Sequence, residues 1–117
     1  MGFVLADSIA RRVLPLTASQ KSALVMLAFY ADEEGCEVFP GDRVLAAGLG
    51  SSESHAERML AQLTKLEWLL DDGWRRHVKV RRIAVERIAD YPLVAEWLRE
   101  CIGEVRAQHD RLASGQT

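Results

Sequence analysis

Apolar residues recur at steps of three and four in several stretches of the chain, separated by one stretch in which they alternate with polar ones. Leu24, Leu27, Ala28 and Ala31 share one helical face. Thr17-Ala18-Ser19-Gln20 has the form of a capping box, so a helix is predicted from there to about Ala31, with Gly35 serving the exit. Ahead of it, Asp7 or Ser8 can cap a short helix through Ile9 and Val13 that Pro15 must stop or kink. Ala56, Met59, Leu60, Leu63 and Leu66 form a second stripe, which turns Glu53, Ser54, Glu57, Arg58, Ala61 and Gln62 outward. Val94, Trp97, Leu98, Cys101, Ile102 and Val105, widened by Leu93, form a third. They predict a helix of roughly 20 residues, entered at Asp90-Tyr91-Pro92 with Asp90 as its cap.

The intervening segments read differently. Cys36 to Phe39 is expected to be extended, because the residue before Pro40 is driven out of helical geometry. A short helix from about Asp42 to Ala47 then reaches the turn Gly48-Leu49-Gly50. Trp68-Leu69-Leu70 reads as a strand, Asp71-Asp72-Gly73 as a tight reversal, and His77 to Arg81 as a returning strand of period two. Val78 and Val80 fit one strand phase while Ile83 and Val85 fit the other, so a bulge or lost pairing is expected near Arg81 and Arg82. The fold class is therefore mainly α with a small β-hairpin. Its expected segments are an N-terminal short helix or arm (1–16), a central unit (17–88), a C-terminal packing or dimerisation helix (89–112) and a frayed tail (113–117).

Composition sharpens this outline. With 117 residues, 49% apolar and 27% charged, the chain suits one globular domain with a single core. Fifteen Lys and Arg against seventeen Asp and Glu leave a formal charge of −2, so any affinity for nucleic acid must come from a local patch. The chain shows no export signal or apolar run of membrane-spanning length, which makes a cytoplasmic protein with no membrane partner the expectation. Cys36 and Cys101 are then read as reduced thiols.

The order helix, extended stretch, short helix, glycine turn, helix, hairpin resembles a winged helix-turn-helix from Thr17 to about Val85. The resemblance is to such domains in phage and plasmid replication and regulatory proteins. It is carried by Phe29-Tyr30-Ala31-Asp32, Phe39-Pro40, Leu45-Ala46, Gly50-Ser51-Ser52, Leu60-Ala61-Gln62-Leu63 and Trp68-Leu69. Three departures from that pattern stand out. Gly41 replaces a capping serine, His55-Ala56 replaces Thr-Val, and Glu67 replaces the glycine that ends the second helix of the pair before Trp68.

The resemblance implies double-stranded DNA as partner, with the second helix in the major groove and the wing on the backbone. Ser52, Ser54, His55, Arg58 and Gln62 are the candidates on the helix: Arg58 suits guanine, Gln62 adenine, and the serines suit phosphate oxygens. Arg75, Arg76, Lys79 and Arg81 are the candidates on the wing, where Arg82 and His77 add to a run without a carboxylate. Glu53 and Glu57 oppose this reading unless Glu53 serves the positive end of its helix or the two accept from cytosine.

No catalytic residue, metal site or cofactor is expected. His55, His77 and His109 have no ligand spacing, and the chain contains neither a Cys-x-x-Cys pair nor a nucleophile elbow. The terminal stripe can cover the core, or Trp97, Leu98, Cys101 and Val105 can meet a second copy in a homodimer. Gly103 within it reads as a point of close packing. Two functions remain open at this stage. One is a DNA-binding regulator or replication module. The other is a protein-interaction module, such as a small phage-encoded inhibitor of the anti-CRISPR kind or an assembly factor, that turns its acidic helix to a protein partner.

Overall fold

The helices begin and end where local chemistry satisfies their free backbone groups. The computed structural model describes residues 3–32, 35, 41–75 and 78–113. Six helices and one antiparallel strand pair are found among them: α1 (Phe3–Ala10), α2 (Ala18–Tyr30), α3 (Asp42–Leu49), α4 (Glu53–Lys65), β1 (Leu69–Arg75), β2 (Val78–Ile83), α5 (Val85–Ile88) and α6 (Val94–Ala113). The protein is thus mostly helical with a small two-stranded sheet.

α2 carries both halves of its capping box: Gln20 N donates to Thr17 Oγ1 at 3.2 Å and Thr17 N donates to Gln20 Oε1 at 3.0 Å. Leu24, Leu27 and Ala28 are buried at the centre of the core, with α1, α3 and α4 packed around α2. α1 lies earlier than the sequence pattern suggests. Asp7 is not its cap but sits inside it, accepting from Arg11 Nε at 2.8 Å one turn on. The helix ends at Ala10, before Val13 and Pro15, because the chain from Arg12 onward bonds to the segment that leads into α6. Nor does Gly35 cap α2, whose C-terminal residue Ala31 is extended. Gly35 instead accepts from Ile83 N at 2.8 Å, joining the α2 exit to the end of β2. The expected extended stretch Cys36 to Phe39 lies outside the described residues.

α3 and α4 end in the same way. Gly50 is left-handed (φ 66°) and Ser51 N reaches back to Ala46 O at 3.0 Å. Glu67 is left-handed too (φ 64°), and Trp68 N reaches back to Leu63 O at 2.9 Å. Both are helix stops in which a single left-handed residue lets the next N–H satisfy an earlier carbonyl. Glu67 therefore occupies a glycine conformation, at a cost of about 1–2 kcal/mol. Because the chain turns there, Leu66 is 45% exposed instead of completing the buried stripe of Ala56, Met59, Leu60 and Leu63.

The hairpin differs from expectation in two places. Asp72 and Gly73 do not form its reversal. Asp71 pairs with Arg81 and Trp74 with Lys79, so β1 has one residue more than β2 across this interval, and Gly73 (φ 87°) lies within the resulting bulge. The predicted irregularity is real but belongs to β1, whereas Arg81, Arg82 and Ile83 pair regularly with Asp71, Leu70 and Leu69. Val80 and Ile83, an odd number of residues apart on β2, are both fully buried.

α6 begins at Val94, so Asp90 is not its cap. Its start is tied to the N-terminal segment by Val94 N to Arg11 O (2.6 Å), Val13 N to Pro92 O (3.0 Å) and Arg12 Nη1 to Tyr91 O (2.6 Å). Beyond that joint no described element packs along it, and the chain extends over 69 × 28 × 22 Å. Among the described residues this helix therefore does not lie along the core. Gly103 is no packing point within the chain either, since an added Cβ would meet nothing within 4 Å.

Candidate nucleic-acid interface

Ser52 ends the turn after α3 and accepts from His55 N through its hydroxyl at 3.1 Å, which sets the first turn of α4. With Ala56, Met59, Leu60 and Leu63 directed into the core, the outer face presents Ser54, Glu57, Arg58 and Gln62 to solvent, with His55 half-buried at its margin. The helix-borne candidates thus fall into two groups. Ser54 and Arg58 are exposed, whereas Ser52 and Gln62 are already engaged within the chain. Gln62 Oε1 accepts from Gln20 Nε2 at 2.8 Å, which ties this side chain to α2.

The acidic character of this face is reduced by a residue that sequence reasoning did not single out. Arg43, on α3, places Nε 3.6 Å from Glu53 Oε1, with both side chains largely exposed. Glu53 also lies in the first turn of α4, where a carboxylate is favoured by the partial positive charge of the helix end. Glu57 forms no ion pair with another described residue. Only tertiary structure brings Arg43 to Glu53, and no spacing rule links the two positions.

The second cluster lies on the hairpin that follows α4. Lys79 is exposed and Arg81 half-buried; Lys79 Nζ stands 3.6 Å from Asp71 Oδ2. Arg82 Nη1 stands 3.7 Å from Glu86 Oε2. Asp71 is held below the ordinary carboxylate value, first by the hydrogen bond it accepts from Gly73 N (2.9 Å) and further by the charges of Lys79 and Arg81. A carboxylate beside these cations weakens the local positive field. Arg75 contributes its backbone to β1, while its side chain, together with Arg76 and His77, lies outside the described residues.

The end of α4 and the base of the hairpin are joined through Trp68. Its ring is buried, with the Arg87 guanidinium 4.1 Å from the ring centroid and Tyr91 beside it at 5.8 Å. Arg87 also donates to Leu66 O at 2.7 Å. One cation thus stacks on the aromatic ring and satisfies a carbonyl at the end of α4. This clamp links the start of β1 to the helix before it.

Among the described residues no group of three or more His, Cys, Asp or Glu could hold a metal ion, and no helix is long and apolar enough to cross a membrane. The chain matches no family model, no curated protein and no solved structure.

Proposed function

We propose that the protein is a winged helix-turn-helix that binds double-stranded DNA, as a transcriptional regulator or replication-associated module of phage or plasmid type. The observation that carries this reading is one connected unit. A helix with Ser54 and Arg58 exposed is followed, through the Trp68–Arg87 clamp, by a hairpin bearing Lys79 and Arg81. Arg58 is a long fork-shaped donor suited to base edges, and the hairpin cations suit phosphate oxygens. Arg43 supports the reading by offsetting Glu53 at the end of α4 that would enter the groove.

A second reading has its own observation. Lys79 and Arg82 already face carboxylates, and Glu57 stays exposed without an ion-pair partner among the described residues. A protein-interaction module would use this mixed surface without needing a net positive field.

Titration against mixed-sequence duplex DNA at two salt concentrations tests the first reading, beside a variant with Arg75, Arg76, Lys79 and Arg81 changed to alanine. If all four cations contact phosphates, log affinity falls with log salt at a slope of about 3.6 in magnitude. The variant flattens that slope. Absence of binding by the wild type at low salt, or a slope indifferent to the four substitutions, removes the DNA reading.

A further inference from the structure

The most conspicuous unfilled surface is on α6. Trp97, Leu98 and Ile102 are 43%, 46% and 50% exposed and lie within one helical turn or little more of one another. Scattered exposed apolar residues are ordinary, but a contiguous stripe on a helix along which, beyond its first residues, no other described element packs is not. The remaining positions of the helix mix Glu96, Glu100, Glu104 and Asp110 with Arg99, Arg106 and Arg111. The surround of the stripe is therefore nearly neutral, as a surface that meets a copy of itself requires.

The dimensions of the chain point the same way. A compact monomer of 13.1 kDa exposes about 6,400 Å², whereas this chain exposes 7687 Å². Its radius of gyration is 18.3 Å, against about 13 Å for a compact domain of this length. The surplus of about 1,300 Å², which belongs to the chain as a whole, is of the order that a standard protein interface covers, roughly 800 Å² per partner. In the sequence, Val94, Leu98, Cys101, Val105 and Leu112 follow the alternating four- and three-residue steps of a two-helix seam, Gln108 being its polar position, and Trp97 and Ile102 flank Leu98 and Cys101. The hydrogen bonds among Arg11, Arg12, Val13 and the 91–94 segment hold the start of the helix, so the stripe leaves the body of the protein in a defined direction.

We infer that a second copy of this chain covers the stripe, α6 packing along α6 in a two-fold homodimer. The inference stands independently of DNA binding. Most helical stability in proteins comes from packing of an amphipathic face, and the partner helix supplies the apolar burial that the other described elements do not give α6.

Light scattering or sedimentation equilibrium reads the mass without DNA. The wild type is expected at twice 13.1 kDa. The double substitution Leu98→Glu with Ile102→Glu is expected to return it to the monomer mass, while Glu100→Lys, at an exposed position off the stripe, keeps the dimer. Because α6 does not pack on the core, the double variant retains the cooperative thermal transition of the remaining helices, which separates dissociation from unfolding. A wild type that stays monomeric at high micromolar concentration overturns the inference. So does a dimer indifferent to the double substitution, or one that Glu100→Lys disrupts equally.

Discussion

Arg43 Nε lies 3.6 Å from Glu53 Oε1, so the short helix α3 supplies a cation to the acidic first turn of α4. Exposed pairs of this kind add at most about 1 kcal/mol to stability. The consequence is electrostatic: Glu53 is the carboxylate closest to the start of α4, and Arg43 keeps it from acting as an isolated negative charge. Glu53→Gln is expected to leave the melting temperature nearly unchanged and to tighten binding to mixed duplex at low salt roughly fivefold, which corresponds to about 1 kcal/mol of relieved repulsion. Fluorescence anisotropy checks this. A loss of affinity instead would make Glu53 a reading residue.

Glu67 adopts φ 64° at the end of α4, a left-handed conformation that costs a side-chain-bearing residue more than glycine. Replacing it by glycine removes the steric penalty but loosens the unfolded chain. The net expectation for Glu67→Gly is a gain of about 1 kcal/mol and a melting temperature higher by several degrees. Chemical denaturation with an unchanged m-value would confirm that the native state is the one affected.

Gly35 presents the opposite case. Its φ is 80°, and a Cβ there would stand 2.6 Å from Val85 Cγ2 and 3.2 Å from Ile83 O. Gly35→Ala therefore combines an unfavourable backbone with a clash at the base of the hairpin, and a loss of about 2–4 kcal/mol is expected. Equilibrium unfolding of the purified variant measures it, and a loss below about 0.5 kcal/mol would show that the α2 exit can move away from β2.

Asp71 has a depressed carboxyl pKa, set first by the Gly73 N–H and supported by Lys79 and Arg81. A lowered folded value stabilises the protein above the unfolded pKa and loses that contribution as the pH falls through the folded one. The window thus opens near the ordinary value of 3.8 and extends below it. Asp71→Asn is expected to be less stable than the wild type at neutral pH, with the difference shrinking on acidification below that point. Melting curves recorded across the acid range test the sign.

Much of the helical core was legible in the residue pattern because helix period and capping are local. Thr17 and Gln20 lie three residues apart, so their reciprocal bonds require only one turn of helix. Ala56, Met59, Leu60 and Leu63 are buried because 3.6 residues per turn places them on one face of α4. The hairpin was legible as a pair of strands, but its bulge was assigned to the wrong one. Asp-Gly is as compatible with a left-handed bulge residue as with a reversal, and only the pairing of β1 with β2, which continues to Arg75 and Val78, decides between them.

The candidate interface divides along the same line. Sequence alone determined the amphipathic outer face of α4, the run of cations from Arg75 to Arg82 and the apolar stripe of α6, since each depends on spacing within one element. Tertiary structure decided which of those groups are already engaged. Gln62 is bound by Gln20, Glu53 faces Arg43, and Lys79 faces Asp71, all through contacts between different elements. It also decided that the stripe of α6 lies along no other described element. Periodicity specifies that a face is apolar, but what covers that face depends on where the rest of the chain has packed.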